Sequence, residues 1–326
     1  MSTVPRLNLH CHLEGCIRPS TAADLARAAG VPDPPGGWEA ALVMRTPADL
    51  TVYLAHVAAA YPVLNSTAAL ARVAREAVED AAADGCDYLE VRCGPATYAR
   101  NGVPVPEGLT AICEGLAEGA QATGTPAGLI ACILRHDDKE TNLGVAKAAA
   151  ALAGRGVVGF DVAGDELLYP ALDPFHRPFA LAAAAGLGLT AHVAEAGPAR
   201  NVRQAVAELG VRRIGHGSAV AGDDELLEWS AAEGITYEVC VTSNVLTGVC
   251  ADAAAHPVRR FVDSGCAVVL GDDDPVTTGS PLGRELRVLH DALGFDAELL
   301  ERIARRSVDV AFVSDSVRQR LQSRLA

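Results

Sequence analysis

At 326 residues and 33.7 kDa, half of them hydrophobic and 21% charged, the chain has enough apolar surface for a sizeable core, which argues against global disorder. A net charge of −14 with two lysines, Lys139 and Lys147, leaves no basic stripe for a phosphate backbone, so nucleic acid is a poor candidate partner. Nine scattered cysteines without a C-x-x-C pair argue against a disulfide framework and a thiolate zinc site; Cys93, Cys132 and Cys240 read as small core residues.

Pro5, Arg6 and Asn8 interrupt any basic-then-apolar leader, so a cytoplasmic protein is expected. The first β-rich run, Arg6 to His12, places His10 and His12 two residues apart, on the face opposite Leu9, Cys11 and Leu13. An excursion over 31–66 follows, opened by Pro32, Pro34, Pro35, Gly36 and Gly37. Within it Leu50, Tyr53, Leu54 and Val57 recur at i, i+3, i+4, i+7 and define one apolar helix face, suited to packing on a barrel or to covering a site. A helix over Ala68 to Ala83 leads to the run Tyr88 to Cys93, and then come Leu129 to Leu134 and Val157 to Val162. The longest apolar stretch, Phe179 to Val193, is shorter than the about eighteen residues of a membrane span and is broken by Gly186 and Gly188; it reads as a helix end running into the strand Gly188 to Val193, with no membrane association expected. The runs Arg213 to Gly217, Thr236 to Val241 and Ala267 to Gly271 complete the set, with a helical stretch over Val202 to Leu209. Gly85, Gly156, Gly186, Gly210, Gly234 and Gly265 punctuate the helical segments.

Eight strands, each trailed by helix, is the count that closes an α/β (β/α)8 TIM barrel, whereas an open doubly wound sheet has about five to seven. A single barrel domain over 1–326 is the expected architecture. Barrel chemistry sits where strands end, and there the runs carry His10 and His12, Arg92, Arg135 and His136, Asp161, His192 and Glu195, His216, Ser243 and Asn244, and Asp272 to Asp274. Imidazoles with a carboxylate suit zinc, while an all-oxygen set would suit magnesium or calcium. His56, His176, His256 and His290 lie outside strand ends and read as ordinary core or loop residues. Glu195, three residues after His192, is either a proton donor or base held near neutrality by burial, or a helix N-terminal acid.

LHCHLEG (9–15), VGFDVAGDE (158–166), TAHVAEAG (190–197), RIGHG (213–217) and LGDDDP (270–275) resemble, in order, the motifs of the adenosine deaminase family. The resemblance implies one zinc ion per chain held by His10, His12, His192 and Asp273, and hydrolytic deamination of an adenine-type purine to a hypoxanthine-type product and ammonia. His216 with Asp273 would orient and deprotonate the attacking water, and Glu195 would protonate the purine ring nitrogen. Asp274 would meet the imidazole side of the purine, the Gly164 amide another ring nitrogen, Glu14 a sugar hydroxyl, and the Leu50, Tyr53, Leu54, Val57 face would close over the base. His12 would also border the substrate. Two residues depart from the family pattern: Ala194 stands where glycine precedes the acid in H-A-G-E, which would reshape the pocket, and Glu14 stands where many adenosine-specific members carry Asp. The group on purine N9 therefore stays open between ribose, deoxyribose, a modified ribose as in aminodeoxyfutalosine, and nothing, as in adenine. Readings of another class are an amidohydrolase of a non-purine amide or ester, and a silent nucleoside-binding barrel. The first lacks the fourth-strand lysine that bridges two metals, and the second would need a lost ligand.

Overall fold

The computed structural model describes residues 4–325. Eight parallel strands pair in sequence order: β1 (Leu7–His12), β2 (Tyr88–Cys93), β3 (Ala127–Leu134), β4 (Val157–Ala163), β5 (Gly188–Val193), β6 (Arg213–His216), β7 (Thr236–Val239) and β8 (Ala267–Leu270). Helices follow the strands on the outside, as the alternation of β-rich and helical runs dictates. The chain forms a TIM barrel.

The β8 to β1 seam does not close by a regular ladder. Asp273, just past β8, bridges instead: its N–H donates to His10 O (2.9 Å) and its carbonyl accepts from His12 N (2.6 Å). The closing bonds of the barrel thus bind together the backbones of three residues proposed above as ligands. Gly271 makes this approach possible, since a Cβ there would lie 2.3 Å from His10 Cβ.

The excursion over 31–66 contains two α-helices, following α1 (Pro19–Ala29), namely α2 (Gly37–Leu42) and α3 (Leu50–Ala58), and a 3-10 turn at Tyr61–Val63. The Asp49 side chain caps α3 by accepting from Val52 N (2.9 Å), and Ser66 caps α4 (Thr67–Ala83) in the same way. Leu50, Tyr53 and Val57 are buried and Leu54 is half-buried, so the predicted face is the inward one; Tyr53 and Val57 pack with Met44 and Leu246.

Local expectations change near the site. The seventh run ends at Val239, and Val241–Leu246 turns into a short helix, so Ser243 and Asn244 sit on a helix above the strand end. The sixth run stops at His216, because His216 and Gly217 both take left-handed backbone (φ 60° and 66°). The Val202 to Leu209 stretch begins as the α-turn Asn201–Gln204 and continues as a π-helix, Ala205–Leu209.

Candidate active site

The strand alternation that puts His10 and His12 on one face aims both at the barrel axis, where His192 from β5, His216 from β6 and Asp273 join them. His12 Nε2 lies 3.1 Å from His192 Nε2 and 3.3 Å from Asp273 Oδ1, and His10 Nε2 lies 3.3 Å from the same oxygen. Four ligands placed tetrahedrally about zinc, with Zn–N near 2.0–2.1 Å, stand about 3.3 Å from one another. The edges match. His10 Nε2 is buried with no hydrogen-bond partner, which in a folded protein calls for an explanation such as an ion.

A cavity of about 390 Å³ opens over this cluster. Its walls include His12, Glu14, Gly164, His192, Glu195, His216, Asp273 and Asp274, with Leu50, Tyr53, Leu54 and Val57 of α3 as a roof. Glu195 is buried; burial, with the Asp273 and Glu166 charges nearby, pushes its carboxyl well above the usual range. Its Oε2 is 3.6 Å from His216 Nε2, and its Oε1 accepts from Asn244 Nδ2 (3.2 Å) and Thr247 Oγ1 (3.3 Å).

The adenosine deaminase family profile matches residues 5–326. An adenosine deaminase of Erwinia tasmaniensis is 34% identical over 335 aligned positions, covering 100% of this chain and 99% of the relative. This chain belongs to the adenosine deaminase family. Among solved structures, an adenine deaminase of Arthrobacter aurescens superposes with a TM-score of 0.90 at 26% identity, covering 99% of this chain and 98% of that one. An amidohydrolase of Burkholderia ambifaria, solved with bound Zn, gives 0.90 at 27% identity with 99% and 90% coverage.

Within this family member, the histidines are sorted by what holds their far nitrogens. His10 Nδ1 is 2.7 Å from Glu238 Oε2. Burial alone would raise the Glu238 carboxyl, but Arg92 and Arg213 overcome it and hold the group well below the usual range, as an ionised acceptor. The His10 proton therefore sits on Nδ1 and the Nε2 lone pair faces the centre. His192 Nδ1 lies 2.9 Å from Asp161 Oδ2, off the line of an ideal hydrogen bond, and the carboxylate again draws the proton to Nδ1. His10, His192, His216 and Asp273 offer ligand atoms all within 4.8 Å of one another. His12 falls outside that mutual set while approaching His192 and Asp273 more closely than His216 approaches Asp273, at 4.0 Å.

Every residue to which the family resemblance gave a role reaches this cavity except His10, which lies buried beneath it, and each has a definite setting. Glu14 accepts from Tyr98 OH (2.6 Å) and Gly94 N (3.2 Å). Tyr53 reaches an acid: its hydroxyl donates to Asp274 Oδ2 (2.7 Å), while Asp274 Oδ1 is buried and without a partner. Gly15 is what lets Asp274 seat, since a Cβ there would meet Asp274 Oδ1 at 2.1 Å. Asp272 belongs elsewhere; it lines a separate cleft with Asn8 and Cys11, and burial raises its carboxyl to about 7.

The expectation for Ala194 is corrected. Its methyl packs in the buried core and not in the cavity, so it does not reshape the pocket. Its cost is in the backbone: φ is +61°, a region where glycine is free and alanine strained. The chain is held there by Glu166, whose carboxylate accepts from the N–H groups of Ala194 (2.9 Å), Glu195 (2.8 Å), Ala196 and Gly197 (both 3.2 Å).

Sequence reasoning gave no role to Glu166 and missed Glu90, Arg213 and Glu238. Glu238 accepts from Arg92 and Arg213 and from Thr190 Oγ1, all at 2.7 Å. A signal existed: Glu90 and Arg92 stand two apart inside an apolar β run, as His10 and His12 do, and charges at that period face the barrel interior.

Proposed function

We infer that this chain hydrolytically deaminates an adenine-type purine, with His10, His12, His192 and Asp273 as the residues that would hold a zinc ion. The convergence of the His10, His12 and His192 imidazoles on the Asp273 carboxylate, with separations of 3.1 to 3.3 Å, beside a buried protonatable carboxyl, supports this reading. Zinc in such a site supplies Lewis acidity that brings the pKa of water towards about 7.

The chain's own residues do the rest. Burial, with the Asp273 and Glu166 charges, favours the protonated form of Glu195, and two donors occupy Oε1, which leaves Oε2 to carry the proton. It gives that proton to the purine ring nitrogen, which makes the adjacent amino-bearing carbon electrophilic to water. Ser243 Oγ donates to Asp273 Oδ2 (2.5 Å) and fixes the carboxylate plane. Asp274 and the Gly164 amide bracket the base, Glu14 meets the group on N9, and α3 excludes water from above, its Thr51 hydroxyl fastened to Asp165 Oδ2 (2.6 Å) across the mouth.

The test is a spectrophotometric screen of zinc-loaded protein against adenosine, deoxyadenosine, adenine, methylthioadenosine and aminodeoxyfutalosine. Conversion of adenine to hypoxanthine absorbance is expected for at least one, and the ranking identifies the N9 group. Silence on all five would sink the assignment.

A further inference from the structure

A chain of hydrogen bonds runs from the site outward to a backbone amide. Val258 N–H donates to His256 Nδ1 (3.1 Å). A backbone nitrogen only donates, so Nδ1 accepts, and the one proton of the neutral ring sits on Nε2. Burial keeps that ring neutral by pushing its pKa down to about 4. His256 Nε2 is 3.0 Å from Asn244 Oδ1, which also accepts from Ser218 Oγ (3.3 Å). The Asn244 amide is thereby oriented with its oxygen toward His256 and its nitrogen toward Glu195 Oε1 (3.2 Å) and His216 Nδ1 (3.1 Å). The flipped amide would set N–H against N–H at His256 and carbonyl oxygen against the Glu195 oxygen. All of these groups are buried, so none turns to water instead.

Resting on the deaminase reading of the same site, we propose that Asn244 and His256 are positioning residues that hold His216 as its Nε2–H tautomer. With Nδ1 accepting from Asn244, His216 presents a donor to the cavity. Its Nε2 lies 3.6 Å from Glu195 Oε2 and 4.0 Å from Asp273 Oδ2, at the edge of the space where the reacting carbon and oxygen meet. A protonated Nε2 is neither a metal ligand nor a base, so in this proposal His216 does not take the water-deprotonating role that the resemblance implies. It stabilises negative charge growing on the attacking oxygen, and this separates His216 from His10 and His192, whose Nδ1 atoms face carboxylates.

The tautomer is read directly by long-range 1H–15N correlation NMR of zinc-loaded protein labelled with 15N-histidine, with the His216 signals identified by their loss in His216→Gln. The wild type is expected to show a protonated Nε2 and a bare Nδ1; the reverse pattern, or a doubly protonated ring, overturns the proposal. Asn244→Asp keeps the shape but turns the donor into an acceptor. It should move the proton to Nδ1 and lower kcat by about 100-fold or more, with KM changing far less. His256→Gln retains a donor to Asn244 and should keep the wild-type pattern, while His256→Phe should not. A His256→Phe protein with an unchanged His216 pattern and full kcat removes His256 from this role. Wild-type protein with the Nε2–H pattern but no purine turnover would count against the deaminase reading and leave the tautomer standing.

Discussion

At the floor of the barrel the C-terminal segment is locked by paired groups. Tyr88 OH donates to Phe312 O, Phe312 N–H donates to Glu90, Glu90 meets Arg213 at 2.7 Å, and the Arg213 guanidinium lies 4.0 Å over the Phe312 ring. At the mouth, by the C-terminal ends of the strands, the chain accepts strain. Ala194, His216 and Asp273, the non-glycine residues with positive φ among those described, all sit at strand ends around the cluster. Left-handed backbone costs an L residue about 1–2 kcal/mol, so the mouth spends stability that the floor supplies, and what it obtains is the aim of three side chains. The contrast separates residues whose loss should cost turnover from residues whose loss should cost folding.

The largest expected effect is at the mouth. Glu195→Gln should lower kcat by about 10³-fold while zinc content by metal analysis stays at the wild-type level; a fully active variant would remove Glu195 as proton donor. His192→Gln should do the converse and empty the metal site, and full occupancy with unchanged affinity would overturn its place among the ligands.

The pH dependence comes next. The folded-state pKa of Glu195 is raised by burial, so the proton-donating form is present below that pKa and kcat falls as pH rises through it. The same shift means that the folded protein holds this proton more tightly than the unfolded chain, so stability from this group is lost as pH rises. Glu195→Gln should abolish both trends. An alkaline limb of kcat that persists at full amplitude in the residual activity of the variant would assign it to another group.

At the floor, Gly188→Ala should destabilise by about 1–3 kcal/mol in urea unfolding, because the new Cβ would lie 2.1 Å from Phe312 Cδ1. Its kcat should stay at the wild-type value, and a matching fall in kcat would break the division between floor and mouth. The smallest effect is expected for Ala194→Gly, which relieves the strained φ but frees the unfolded chain, for a net gain of up to about 1 kcal/mol. A loss of stability would show that the Ala194 methyl is worth more in the core than its backbone costs.

Much of this was legible beforehand. The β runs and the strand-end histidines follow from periodicity of two and from the location of polar residues in apolar runs, both local properties. The seventh run was read two residues too long because Cys240 and Val241 suit a strand as well as a helix start. His256 was set aside as an ordinary residue because nothing near it in the chain points to chemistry; its partner Asn244 is 12 positions away and connects it to Glu195 and His216 only in space.

By itself the amino-acid sequence determined the barrel, the order of its strands and the presence of an imidazole and carboxylate cluster at one end, since each of these is written in short-range spacing. Only the tertiary structure decided that Asp273 closes the seam between His10 and His12, that Ala194 pays in backbone rather than in pocket shape, and that carboxylates face Nδ1 of His10 and His192 while the Asn244 amide faces Nδ1 of His216. Those outcomes depend on Glu238, Asp161 and Asn244, which reach the histidines from other strands and helices, and a proton goes where the nearest acceptor is, whatever its distance along the chain.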